Sequence, residues 1–255
     1  MSEITLINVS FSYSKNLPQI ITNTSLTFKE NQTTVLLGPN GVGKSTLLSL
    51  LTGWLVPDNG SISLNRTNYT EISRQTIGKK IAYIPQIENT PIYLSVKEFL
   101  LMGRIPYISM FSFPDGEDQR FVNEIILDTG ITHIQDNKMN EISGGELQLV
   151  YLARALTQAP EILIMDEPMN HLDIKNQSKM ITIINNLKKK SITSILTTHN
   201  PQVAASIGDK ILLFFPDRSF LFGTKEIVLT AENLSCAFQI QIELFKNNGT
   251  YFFNW

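Results

Sequence analysis

The nine residues Gly38-Pro39-Asn40-Gly41-Val42-Gly43-Lys44-Ser45-Thr46 have the make-up of a phosphate cradle. Glycines let the backbone curl so that successive N–H groups point inward at anionic oxygens. Lys44 offers a point charge to β- and γ-phosphates, and Ser45 offers a hydroxyl to Mg²⁺. A second chemical group, Asp166-Glu167, closes the apolar run Ile162-Leu163-Ile164-Met165. Asp166 can hold Mg²⁺ through its shell, and Glu167 can polarise an attacking water. An isolated Asp-Glu pair would be read as a solvated strand end, so the upstream cradle is what favours chemistry here. A third group is Ser143-Gly144-Gly145-Glu146. By itself it is a capping box, yet two glycines at a helix start also make an anion site. Nucleotide binding follows from the first group.

Such groups need elements to position them. The apolar stretch 33–37 precedes the cradle and a helical run 47–51 follows it, the strand–loop–helix context the loop requires. Further strand candidates are 4–9, 25–28, 61–64, 81–84, 162–165, 194–198 and 211–215. Several are near-continuously apolar, as strands buried on both faces of a parallel sheet are. Between about residues 87 and 158 the strand signal disappears. Residues 118–129 place Phe121, Val122, Ile125 and Ile126 on one helical face before Gly130. The pattern predicts an α/β frame with a mainly helical insertion.

Composition excludes several classes. The chain has 255 residues, 42% hydrophobic and only 17% charged, against roughly 25% charged in an average soluble domain. Some surface is therefore not built for water. No apolar stretch approaches the ~20 residues of a spanning helix. The start, Met1-Ser2-Glu3-Ile4-Thr5, lacks a basic n-region, so no signal peptide is expected. One cysteine, Cys236, excludes an internal disulfide and fits a reducing cytoplasm. The net charge of −2, without a long basic run, argues against a nucleic-acid partner.

Taken together in this order, the three groups resemble the ATP-binding cassette (ABC) family. Residues 38–46 match its Walker A, 162–167 its Walker B and Ser143-Gly144-Gly145-Glu146 its signature. The resemblance spans nearly the whole chain. It implies a single 1–255 ATPase domain with a mainly parallel sheet core, an antiparallel β subdomain and a helical subdomain. Residues 1–86 and 159–255 would form the core and β subdomain, and about 87–158 the helical part. It also implies roles for ambiguous residues. Gln86 looks like the Q-loop glutamine that reaches Mg²⁺ and the γ-phosphate, although alone it would pass for a surface glutamine. Asn170-His171-Leu172-Asp173 looks like the D-loop, with Asp173 near a dimer seam. His199 resembles the switch histidine, while His133 and His171 are read as ordinary residues. Tyr13 fits the aromatic that stacks on adenine, a strand-core tyrosine being the alternative. Met169 and Ile142 depart from the family's usual residues, with only local repacking expected.

In this family the signature of one cassette closes on the Walker A of another. The resemblance thus implies a homodimer enclosing two ATPs with Mg²⁺, and hydrolysis with Glu167 as base and Gln86 and His199 at the γ-phosphate. A single Walker A excludes the twin-cassette translation-factor type. The short interval from Gln86 to Ser143 excludes a long coiled coil. Leu101-Met102-Gly103-Arg104-Ile105-Pro106-Tyr107, with Gly116-Glu117-Asp118, resembles importer ATPases for iron(III) chelates, haem and cobalamin. Molybdate or tungstate import, or a soluble ATPase of iron–sulfur assembly, are the alternatives. The importer reading implies polytopic permease subunits, a substrate-binding protein reached indirectly, and a peripheral place at the cytoplasmic face of the inner (plasma) membrane. Ile105, Tyr107, Ile108, Met110, Phe111 and Phe113, near Gln86, are candidates for permease docking, or for packing within their own chain.

Overall fold

The computed structural model describes residues 2–86, 93–108, 113–170, 172–247 and 249–255. Strands β1 (Ile4–Phe11) and β2 (Ile21–Phe28) pair antiparallel. Strand β3 (Thr33–Leu37), buried throughout, feeds the 38–43 loop and helix α1 (Lys44–Leu51). Strands β4 (Asn59–Leu64) and β5 (Thr67–Asn68) complete an antiparallel sheet of order β2-β1-β4-β5. Helix α2 (Arg74–Lys80) leads into β6 (Ile81–Ile84). Then come helices α3 (Val96–Leu101), α4 (Gly116–Thr129) and α5 (Gly144–Thr157). Each starts with a reciprocal capping box: Ser95 with Glu98, Asp115 with Asp118, Ser143 with Glu146. Gly130, left-handed at φ 64°, stops α4 where the pattern predicts.

The chain continues through β7 (Ile162–Met165), α6 (Ile174–Leu187), β8 (Thr193–Thr198), α7 (Pro201–Ile207) and β9 (Lys210–Phe214). It ends with β10 (Phe220–Gly223), α8 (Lys225–Val228), α9 (Ala231–Phe238), β11 (Glu243–Asn247) and β12 (Thr250–Asn254). The larger sheet has the order β10-β9-β3-β8-β7-β6, parallel except for β10. Its strands alternate between two cores. Val35, Leu37, Leu163, Met165, Leu196, Ile211 and Leu213 enter one, with α3 to α7. Leu36, Ile162, Ile164, Ile195, Leu212 and Phe214 enter the other, against α1 and the antiparallel sheet. Apolar cover on both faces is what a parallel sheet requires.

The 102–107 turn, a 3₁₀ helix, is bolted to its neighbours by Gly103 and Arg104. A Cβ at position 103 would run into the Thr157 hydroxyl and the Arg154 carbonyl on α5. The Arg104 guanidinium donates to Asp118 Oδ1 at 2.7 Å and to the Thr157 carbonyl at 3.0 Å, and it lies over the Tyr107 and Phe121 rings. The pairing of Leu101–Tyr107 with Gly116–Asp118 in sequence is therefore a packing unit.

The sequence reading falls short at both ends of the chain. Strand β1 runs on to Phe11 and β2 starts at Ile21, their register shifting past Leu6 and Val9, with Asn8 and Asn23 at positive φ. The aromatic tail is a β-hairpin whose strand β12 lies on α7, with Gln202 Nε2 donating to the Tyr251 carbonyl at 2.8 Å. Its sequence Asn247-Asn248-Gly249-Thr250 carried a hairpin signal that the strand pattern overlooked. Cys236 is an exposed free thiol, and among the described residues no helix is long and apolar enough to cross a membrane. Because no side chain fits at position 103, Gly103→Ala is expected to lower unfolding stability by about 1–3 kcal/mol. An unchanged urea midpoint would contradict this packing.

Candidate functional site

Three adjacent parallel strands deliver the chemistry. The 38–46 loop leaves β3, His199 follows β8 and Asp166-Glu167 follow β7, all at the C-terminal edge where ligands bind in open α/β sheets. The loop turns through Gly38 and Gly43, at φ 153° and 111°. A Cβ at Gly38 would press on Phe214, and one at Gly43 would meet Ile20 Cγ2 at 2.8 Å. Around the loop lies a cleft of about 340 Å³ lined by Tyr13, Asn40, Gly41, Lys44, Ser45, Thr46, Gln86 and Glu167. The Val42 side chain is buried in the core beneath it.

Lys44 is only 6% exposed. Its Nζ donates to the carbonyls of Gly38 at 2.7 Å and Pro39 at 2.8 Å, and sits 3.8 Å from Glu167 Oε1. Burial lowers the Lys44 pKa from its ordinary value, while the charges of Glu167 and Asp166 push it the other way. An ammonium ion held at the floor of a cleft of largely polar lining is suited to attract phosphate oxygens.

The acid pair is equally buried, Asp166 at 6% and Glu167 at 8% exposed. Glu167 adopts the left-handed region, φ 47°, at the strand end. Its Oε2 pairs with His199 Nδ1 at 3.1 Å, while Oε1 is buried with no hydrogen-bond partner among the described residues. Thr197, which the sequence reading passed over, lies between the two acids. Its Oγ1 donates to Asp166 Oδ1 at 2.5 Å and accepts the Glu167 N–H at 2.8 Å. Ile20 and Asn170 also line the cleft and were missed. Nothing in their immediate sequence marked Ile20, whereas Asn170 lay inside a motif already noted.

Tyr13 lies past the end of β1 and is 61% exposed, which overturns the strand-core alternative. Its hydroxyl hydrogen-bonds Thr46 Oγ1 at 3.1 Å and its ring meets Phe11 edge-on. Ser143, Gly144, Gly145 and Asp173 do not line this cleft. Ser143 is exposed and caps α5, and Asp173 is exposed and caps α6 by accepting from the Asn176 N–H at 2.7 Å. A Cβ at Gly144 would meet nothing within 4 Å, so packing inside this chain does not require that glycine. His171, Met110 and Phe111 lie outside the described residues.

A parallel sheet with a phosphate loop, an acidic pair and a histidine on three neighbouring strand ends defines a P-loop ATPase of the ABC cassette class. Residues 21–170 match the ABC transporter family model. An uncharacterised ABC transporter ATP-binding protein of Haemophilus influenzae is 36% identical over 90% of this chain and 87% of its own length. A Helicobacter pylori protein named as an iron chelatin transport ATP-binding protein is 32% identical, covering 92% of each. An inward-facing ABC transporter of metal-chelate type superposes with a TM-score of 0.86 at 27% identity, over 99% of this chain and 96% of that one. The chain belongs to the ABC transporter family, as an ATP-binding subunit that hydrolyses ATP. With Tyr13 at the cleft mouth, Tyr13→Ala is expected to weaken ATP binding by about 3- to 10-fold, the worth of one aromatic stack. Equal affinity of the two proteins for a fluorescent ATP analogue would contradict this.

Proposed function

We propose that this chain is the energy-coupling ATPase of a metal-chelate importer, with an iron(III) chelate as the substrate. The full-length match to a metal-chelate transporter cassette carries this reading, and the iron chelatin relative agrees with it. The domain spans 1–255, with the helical elements of about 87–158 set into the core. ATP phosphates lie in the 38–46 cradle on its inward N–H groups and Lys44. Ser45, Gln86 and Asp166 would hold Mg²⁺, an ion that takes oxygen ligands and retains several waters. Glu167 Oε1, buried and without a hydrogen-bond partner among the described residues, belongs to a residue that lines the same cleft and fits a site that receives water and cation together. When bound, Mg²⁺ neutralises charge on the β- and γ-phosphates. Glu167 accepts the proton of the attacking water, and His199 holds its carboxylate from the other oxygen.

The start of α5 at Ser143-Gly144-Gly145, exposed at Ser143 and Gly144, faces the nucleotide of a second copy, so two copies enclose two ATPs. That a Cβ at Gly144 would meet nothing within 4 Å supports this reading. Permease subunits dock on the cleft lined by Thr52, Trp54, Arg74, Tyr83 and Gln158. The Tyr107 hydroxyl donates to the carbonyl of Gln158 at 2.9 Å, which sets Tyr107 next to this cleft, and Ile105 and Phe113 are exposed apolar side chains of the same segment. The chain would then work at the cytoplasmic face of the membrane, reaching the substrate-binding protein only through the permease.

Glu167→Gln is expected to bind ATP as the native protein does while turning it over about 100-fold or more slowly. Near-native turnover would remove Glu167 as base. Deleting the chain is expected to abolish uptake of labelled iron(III) chelate, and the purified protein to bring down a polytopic membrane protein. Loss of molybdate uptake instead, or capture of a soluble scaffold complex, would overturn the importer reading or its substrate.

A further inference from the structure

Thr197 is fully buried, 0% exposed, in the central strand between the two strands that carry the cradle and the acids. A valine would fill the same space. The hydroxyl instead makes two bonds of opposite sense, accepting the Glu167 N–H at 2.8 Å and donating to Asp166 Oδ1 at 2.5 Å. Burial alone does not impose such bonds: among the described residues Ser194 Oγ on β8 and Thr33 Oγ1 on β3 are buried with no partner, while Thr193 at the far end of β8 accepts the Asn31 N–H and donates to the Ser2 carbonyl, away from the acids. The β7–β8 ladder ends at the Met165–Leu196 pair, and Glu167 then turns left-handed. Its amide has left the ladder, and without Thr197 it would be an orphan buried donor.

We infer that Thr197 is a positioning residue for ATP hydrolysis, its one hydroxyl fixing the Asp166 carboxylate and the Glu167 turn in a set relation. The bond to Oδ1 fixes the plane of the Asp166 carboxylate and leaves Oδ2 for the cation. The bond from the Glu167 amide holds the turn that brings the carboxylate between Lys44 and His199. Hydroxyl supports of this kind are worth roughly 10- to 100-fold in metal affinity or activity. The inference rests on the roles proposed above for Asp166 and Glu167.

Thr197→Val removes the hydroxyl and keeps the shape; Thr197→Ala takes its place if the valine variant does not fold. The expected result is a kcat reduced about 10- to 100-fold, with Mg²⁺-free affinity for a fluorescent ATP analogue within about 2-fold of native. The Glu167 amide is expected to lose its protection in hydrogen exchange, and Thr197→Ser to restore both kcat and protection. Native kcat and protection in Thr197→Val, while Glu167→Gln is inactive in the same assay, would overturn the inference and leave the base intact. Native turnover in Glu167→Gln would remove the base role itself. Equal loss of kcat and Mg²⁺-free affinity, unrepaired by Thr197→Ser, would make Thr197 a packing residue and overturn the inference.

Discussion

The parallel register of β3, β8 and β7 is the constraint on which everything else depends. Leu37 lies beside Thr198 at the ends of β3 and β8, and β7 ends at Met165 beside Leu196, so the three strands end within two residues of one another. Each end then releases a different group: the cradle, the histidine and the acid pair. That register is strongly held, because a shift of one residue would exchange the two cores on every strand. Val35 and Leu37 would trade places with Leu36, and the helical side would lose what the antiparallel side gained. Precision at the site is thus inherited from apolar packing several residues away.

On that base the molecule gathers features that oppose folding. A buried ammonium ion, two buried carboxylates and a left-handed glutamate share one strand edge. Burial of the Lys44 charge is offset by two carbonyls and by the neighbouring acids, and among the described residues one Glu167 oxygen has no hydrogen-bond partner. Each such feature costs on the order of 1–3 kcal/mol and persists only where surrounding structure overdetermines it. Here the surrounding structure is a sheet with apolar cover on both faces. The ammonium ion is suited to phosphate oxygens and the carboxylates to a cation and water, so the groups that are costly to bury are the ones able to do chemistry.

Much of this was legible because the chemistry sits where simple patterns end. Apolar runs such as Ile162–Met165 stop at acids, Thr33–Leu37 stops at glycines, and Ser143 with Glu146 announces a helix. Thr197 was not legible, since a β-branched residue in a buried strand reads as filler and only the neighbouring strand shows what its hydroxyl meets. Ile20 was hidden for the same reason: its role comes from Gly43, which is distant in sequence. The C-terminal hairpin escaped because its faces are unequal, Tyr251 buried against the core and Phe245 and Phe252 outward, which blurs alternation. The scarcity of charge is matched by large apolar side chains left exposed on the surface, Trp54, Ile105 and Phe113 among them.

The central claim is that one chain holds two halves of different sites, a cradle at Lys44 and a partner-facing helix start at Gly144. Gly144→Asp suits a helix N-terminus and a Cβ there meets nothing within 4 Å, so its fold is expected to be intact. It would set a negative charge against the phosphates held by the other copy. Lys44→Ala disables the cradle of its own copy. Each purified variant alone is predicted to lack ATP turnover, and a mixture of the two to regain it, since a mixed dimer contains one native cradle facing one native helix start. A mixture as inactive as its parts, or full turnover by Gly144→Asp alone, would contradict the claim.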